Sequence, residues 1–488
     1  MTFIEEIIIL VKARYPIIYI TSSEEERLEY TIRKTIKNFD NRIIYCWNYT
    51  DGFSNNSNNY FAARNPIQAL ELIENFTSDI PSIFILKDFD KFLTDILISR
   101  KLKNLIKIFK NQSKTIIIFS ENINIPVELV DLIPVIKFKL PTKREIEKEV
   151  KRLFIVINKP INKNFNELLI RSCQGLSMER IRRTLLKSIA QFSDINEKTI
   201  ELILREKKQI INQTQILKYE TSSITFKDIG GLKNLKLWIF NRASTFNEKA
   251  KLYGLPTPRG LLITGIQGTG KSLIVKAIAN DWQVPLLSLD IGKIFGELVG
   301  ESEKNVREMI NIVESLAPCI LWMDEIDKTF TLQNNRDNGT TNRVFATLIT
   351  WLAEKTAPVF IIATANNFNL LPLELIRKGR FDEIFFINLP NFEERKQIFE
   401  IFLYQLRPET LNLFDISQLS KKAEGFSGAE IKQAIIEGMH NAFNEKREFN
   451  TQDIVNGLKE IIPLSEIEPM EILELQNWAL SGRIRLAS

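Results

Sequence analysis

Residues 265–272 read GIQGTGKS, and no other stretch constrains the chain as tightly. The octapeptide matches G-x-x-x-x-G-K-[ST], a loop whose backbone N–H groups cradle phosphates. Gly265, Gly268 and Gly270 permit the tight turn, because a residue without Cβ can take a left-handed backbone. Ile266, Gln267 and Thr269 fill the rest of the loop. Lys271 is expected to reach the β- and γ-phosphates, and the Ser272 hydroxyl to bind Mg²⁺. Residues 261–264 (LLIT) are an apolar run of strand type, and residues 272–279 (SLIVKAIA) predict a helix. The positive end of that helix would add to the anion site.

A second motif lies about fifty residues on. Residues 320–325 read ILWMDE, four apolar residues followed by two acids. A buried strand of this kind delivers its acids to the carboxyl edge of a parallel sheet, where ligands bind. Asp324 is the expected Mg²⁺ ligand, partly through water. Glu325 is the expected group that orients and polarises an attacking water. Residues 359–366 (VFIIATAN) end another strand on Asn366, an amide able to position that water against the γ-phosphate. Arg377 and Arg380 follow in LIRKGRFD. They stand far along the chain from the loop. If subunits form a ring, the two would reach a neighbour's nucleotide, where guanidinium groups make planar contacts to phosphate oxygens.

The first half echoes the second. IYIT precedes an acidic turn, SSEEERLE (residues 22–29), as LLIT precedes the phosphate loop. IFILKDFDK parallels ILWMDEIDK, TIIIFSEN parallels VFIIATAN, and QGLSMERI parallels EGFSGAEI. The constant order predicts a duplicated domain. Strands alternating with helices make each copy α/β with a mainly parallel sheet. The first copy lacks the chemistry. Three glutamates occupy its turn, Lys87 takes the place of Asp324, and no arginine pair follows Asn122. Residues 1–145 are therefore expected to be a degenerate α/β domain, 146–208 its helical cap and 209–223 a polar linker. Residues 224–390 form the active domain, 391–462 a helical lid and 463–488 a tail that packs on the lid or meets a partner.

Composition narrows the class. A hydrophobic share of 44% and a charged share of 26% fit a soluble globular protein. The net charge of +5 over 488 residues gives nucleic acid little support as a partner. Cys46, Cys173 and Cys319 are too scattered for a zinc site or a disulfide framework. No apolar stretch is long enough to span a membrane. The only histidine, His440, has no nucleophile or metal partner near it in sequence. The abundance of Ile, Lys, Asn and Phe hints at an AT-rich genome.

Over residues 224–457 the chain resembles an AAA+ ATPase of the AAA subgroup. The resemblance rests on ITFKDIGGL, GIQGTGKS, ILWMDEID, ATANN, RKGRFD and GFSGAEI. It implies a P-loop NTPase sheet with a helical lid, ATP and Mg²⁺ as ligands, hydrolysis, a homo-hexameric ring and mechanical work on an unknown protein client. Arg377 and Arg380 would be its arginine fingers. The two-module layout is similar to AAA proteins of algal plastid genomes and cyanobacteria, which implies a plastid (chloroplast stroma), or cytoplasm if cyanobacterial. Two departures stand out. Leu298-Val299-Gly300 replaces the family's aromatic threading triplet, with Phe295 one turn earlier. No H-E-x-x-H protease signature is present. The alternative function is a nucleotide-controlled scaffold with slow or no turnover, its partner bound by the first module.

Overall fold

The computed structural model describes residues 2–39, 42–54, 62–76, 81–157, 163–213, 216–246, 248–294, 301–331, 338–377, 379–480 and 484–488. The chain forms two compact units, Met1–Ile203 and Leu204–Ser488.

The first unit is built on β1 (Ile17–Thr21), β2 (Ile43–Asn48), β3 (Gly52–Phe53), β4 (Ser82–Lys87), β5 (Lys114–Ser120) and β6 (Val135–Lys137). Their spatial order is β3-β2-β4-β5-β1-β6. All pairings are parallel except β2 with β3. β1 and β5 are buried at every position, as strands covered on both faces must be. Alternation sends Ile17, Tyr19, Phe84 and Ile116 into one apolar layer and Ile18, Ile20, Ile83 and Ile117 into the other. Helices Lys143–Ile157, Lys163–Cys173, Met178–Phe192 and Glu197–Gln213 follow as a cap.

The second unit contains β7 (Leu217–Glu220), β8 (Gly260–Gly265), β9 (Leu286–Leu289), β10 (Cys319–Met323), β11 (Val359–Ala365), β12 (Glu383–Ile387) and β13 (Arg485–Leu486). The order is β13-β12-β8-β11-β10-β9-β7, parallel except for β7 against β9. Leu262, Leu287, Leu321 and Ile361 feed one layer; Leu261, Ile263, Ile320 and Ile362 feed the other. Helices Phe392–Leu406, Ile416–Lys422, Gly428–Asn444 and Thr451–Glu460 form a lid around Phe399, Leu403, Ile431 and Ile454. This is the expected P-loop α/β sheet with a helical lid, preceded by an α/β module with its own cap.

The repeated order extends to topology. Five central strands run β6-β1-β5-β4-β2 in one unit and β12-β8-β11-β10-β9 in the other. Four cap or lid helices follow each set.

Several elements differ from the sequence expectation. The acidic turn of residues 22–29 is in part helix: helix Glu25–Phe39 begins inside it, because glutamates in a first turn favour the positive helix end. The stretch 209–223 is not free chain. Helix Glu197–Gln213 runs into it, and Leu217–Glu220 pairs with β9 as an edge strand. The tail touches the lid, where the Leu464 N–H donates to Glu430 Oε1 at 2.8 Å, and also packs on the large domain: helix Pro469–Leu480 seats Ile472, Leu475 and Ala479 against Ile266 and Phe386, and β13 extends the sheet. All three cysteines are buried, and none is in a disulfide. His440 lies exposed. Phe295 and Leu298-Val299-Gly300 lie outside the described residues.

Candidate functional site

Three neighbouring parallel strands, β8, β11 and β10, end at one edge of the sheet. Register sets Thr264 beside Ala365 and Met323 beside Ala363. The next residues along, Gly265, Asn366 and Asp324, leave from adjacent points. Ligands of open α/β sheets bind outside such carboxyl ends.

The loop keeps its backbone bare. Gly265, Gly268 and Gly270 have φ of +143°, +78° and +89°, which side chains resist. A Cβ on Gly265 would meet the Ile387 carbonyl oxygen at 2.1 Å. Gly270 begins helix Lys271–Trp282 without a side-chain cap, so the first N–H groups of the helix are available to an anion. Thr269 Oγ1 donates to the Ile266 carbonyl at 2.7 Å and closes the turn. Gln267 is exposed and Ser272 half-buried. The Lys271 ammonium is buried and donates to the carbonyls of Gly265 (2.7 Å) and Ile266 (2.9 Å). Burial draws its pKa down to about 8, against the opposing pull of Asp327, Glu325 and Asp324. Phosphate oxygens would offer this cation stronger, charge-assisted bonds than the two carbonyls do.

The acids are fixed across β10 and β11. Thr364 Oγ1 donates to Asp324 Oδ1 and accepts from the Glu325 N–H at 3.0 Å. Glu325 has φ +47°, a conformation of about 1–3 kcal/mol cost that its surroundings must enforce. Its carboxylate accepts from Asn366 Nδ2 at 3.1 Å and pairs with Lys328 Nζ at 2.6 Å. The Lys328 bond holds Glu325 below the ordinary carboxylate range, against the effect of burial and with help from Asn366. Asp327 is buried, and its Oδ2 accepts from the N–H groups of Asn366 (3.1 Å) and Asn367 (3.0 Å). Asp327, Thr364 and Lys328 were not among the sequence candidates. Asp327 and Lys328 were visible as the end of DEIDK, but their partners are distant in sequence.

The residues present suit a magnesium–triphosphate. Two buried oxygens at this edge, Thr264 Oγ1 and Asp327 Oδ1, have no hydrogen-bond partner among the described residues. Ser272 and Asp324 are hard oxygen donors, few enough to leave Mg²⁺ its water and phosphate ligands. Arg377 and Arg380 are not part of the constellation. They precede β12, which runs parallel to β8 for five residues, about 16 Å at about 3.3 Å per residue. Arg377 is exposed, and Arg380 Nη1 donates to the Ile349 carbonyl at 3.0 Å. The lid meets the loop through backbone: the Ala429 N–H donates to the Gly268 carbonyl at 3.0 Å. A Cβ on Gly268 would meet Ser427 Oγ at 2.7 Å.

The same edge of the first unit is filled. The turn has no glycine, and its helix starts at Glu25. Lys87 Nζ sits 2.7 Å from both Glu25 and Glu29 carboxylates. Burial opposes its charge, but the two glutamates outweigh that and push its pKa up to about 12. Glu24 is buried; its Oε1 accepts from the Met178 N–H, the first of a cap helix, and its Oε2 lies 2.8 Å from Arg27 Nε. A phosphate would find carboxylates where the second unit offers N–H groups.

Comparison with known proteins agrees with this geometry. Residues 261–389 match the profile of the "ATPase family associated with various cellular activities (AAA)", and residues 414–456 match "AAA+ lid domain". Residues 3–138 and 144–214 match the N-terminal and second domains of the SpoVK-like AAA ATPases. The chain is 57% identical to the uncharacterized AAA domain-containing protein ycf46 of Trieres chinensis, covering 100% of this chain and 99% of that one. It is 51% identical to the ycf46 protein of Guillardia theta, covering 100% and 97%. A proteasome-activating nucleotidase of Saccharolobus islandicus is 29% identical over 66% of this chain and 79% of its own. A parallel sheet with a phosphate loop, paired acids and a four-helix lid, together with full-length relatives of this identity, establishes that the chain belongs to the AAA family of AAA+ ATPases.

Proposed function

We propose that the second unit binds ATP with Mg²⁺ and hydrolyses it, and that the chain works as a homo-hexameric ring on a protein client. The observation that carries the reading is the meeting of a bare glycine loop, Lys271, Asp324, Glu325 and Asn366 at one sheet edge. The loop N–H groups and Lys271 would hold the phosphates, and Ser272 and Asp324 the metal. Mg²⁺ would neutralise charge on the β- and γ-phosphates. Glu325 would orient a water in line with the γ-phosphate, with Asn366 fixing both. Phosphoryl transfer to water asks mainly for such positioning and charge. Arg377 and Arg380 stand away from their own loop, so they would serve a neighbouring subunit's nucleotide; a finger of this kind is worth about 10³–10⁵ in rate. A protein client is supported by the similarity to nucleotidases named for activating a proteasome. The ycf46 relatives support a plastid location, in the stroma.

The test is Glu325→Gln in the full-length protein. ATP should still bind while phosphate release stops; turnover at the wild-type rate would refute the assignment. The same variant, used as an ATP-locked bait, identifies the client. A second reading, a nucleotide-controlled scaffold, is favoured by the internally paired edge of the first unit. It requires that no captured client raise the ATPase rate.

A further inference from the structure

The tail touches the phosphate loop, the stretch after Asn366 and β12. Helix Pro469–Leu480 sets Ile472, Leu475 and Ala479 in one apolar cluster with Ile266 of the phosphate loop and Phe386 of β12. The Trp478 ring lies 3.6 Å, centroid to centroid, from the ring of Phe368, two residues beyond Asn366. Glu471 accepts from the side-chain amide of Asn367 at 3.4 Å. Gln476 Nε2 donates to Asn388 Oδ1 at 2.8 Å, just past β12. The chain then returns as β13 along the open side of β12, and the Ala487 N–H donates to the Phe386 carbonyl at 3.0 Å. β12 in turn accepts from the Ile266 N–H through the Ile387 carbonyl, at 3.2 Å.

We infer that the segment from Pro469 onward is a strap that sets the phosphate loop and the Asn366 loop in register, with Trp478 as a positioning residue acting on Asn366 through Phe368. The first unit supplies the second observation. There the corresponding outer strand, β6, is the last of its sheet. Among the described residues, the strap thus accompanies the copy with the glycine loop and has no counterpart beside β6 in the copy without it. Asp327 and Glu325 hold Asn366 from within the site; the indole packed against Phe368 adds a restraint from the tail. Displacement of a catalytic group by about 1 Å can cost about 10²-fold in rate.

This rests on the hydrolysis reading, and the experiment separates the two. ATP turnover is measured on the full-length protein for Trp478→Ala, Trp478→Phe, Asn366→Ala and the Trp478→Ala/Asn366→Ala double variant, beside Glu325→Gln. Trp478→Ala should lower kcat by about tenfold or more with KM for ATP nearly unchanged, and Trp478→Phe should restore most of the rate. In the Asn366→Ala background Trp478→Ala should add little, as for groups that act as one. An unchanged kcat, a rise in KM alone, or the same loss in both backgrounds would overturn the strap. If Trp478→Ala does not fold, Trp478→Leu, which keeps apolar bulk without the ring, is read by the same criteria. Wild-type turnover by Glu325→Gln would instead sink the hydrolysis reading itself.

Discussion

The two sheet edges share a topology and are finished in opposite ways. In the first unit these charges are paired internally: Lys87 lies between Glu25 and Glu29, and Glu24 between Arg27 and the Met178 N–H. In the second, glycines leave N–H groups bare and Lys271 rests on carbonyls. Internal satisfaction stabilises an edge; a ligand site needs groups left for something else to satisfy. Other features are common to both. Asp88 and Glu325 each take a left-handed backbone, φ +52° and +47°, with a lysine three residues on. Asp90 and Asp327 are both buried. The left-handed corner therefore belongs to the fold, and the chemistry resides in what is hung on it.

The sharpest way to break this contrast is a matched pair of substitutions. Lys271→Ala should lower ATP turnover by about 10³-fold, whereas Lys87→Ala should leave it within about twofold. A large loss from the second would mean that the first edge takes part in the reaction. The lysines also predict opposite responses to pH. Lys271, drawn down to about 8 by burial, must hold its proton to attract phosphate. Binding therefore takes up a proton above that point, and ATP affinity should fall by about tenfold per pH unit there. Between pH 8 and 10.5 the nucleotide-free unit should itself gain stability, because the unfolded state binds the extra proton. Lys87, pushed up to about 12, stays charged over the same window and should add no pH dependence there. Titrations of nucleotide binding from pH 7 to 9.5 check the first, and unfolding of the nucleotide-free protein from pH 8 to 10.5 checks the second. Next in size, Gly268→Ala brings strain of about 1–3 kcal/mol, or roughly tenfold weaker nucleotide binding. In the acidic turn of the first unit, Glu24→Ala should instead lower the melting temperature, through about 1–3 kcal/mol of unpaired buried groups, with ATPase activity intact. The smallest effect is expected from Lys328→Met. Freeing Glu325 from an exposed ion pair worth about 0.2–1 kcal/mol should speed single-turnover hydrolysis by up to about fivefold, while Lys91→Met changes nothing.

The site was legible in the sequence where its signals are local. A loop that needs three glycines at fixed spacing, and apolar runs that end on Asp324-Glu325 or Asn366, carry their geometry in consecutive residues. The repeated order of motifs likewise anticipated two sheets of one topology. What the sequence left open depends on pairings across long separations. Residues 217–220 look polar enough for a linker and become a strand because β9 has an open side. Arg485 and Leu486 carry no strand signal of their own, yet β12 recruits them. The acidic turn hid the start of its helix, since glutamates suit both a surface loop and a first turn. The Glu325–Lys328 pair was within reach of inspection, but only the backbone at Glu325 decides which way that carboxylate turns.

Both rims of the second sheet are closed by these borrowed pieces: four residues, Leu217–Glu220, on one side and two, Arg485–Leu486, on the other. Strands so short, one of them antiparallel to its neighbour, offer a poor template for another chain to add to. Copies that associate through the second unit would then meet by helices, loops and side chains, which leaves the backbone ladder out of the joint and allows neighbours to shift without tearing a sheet.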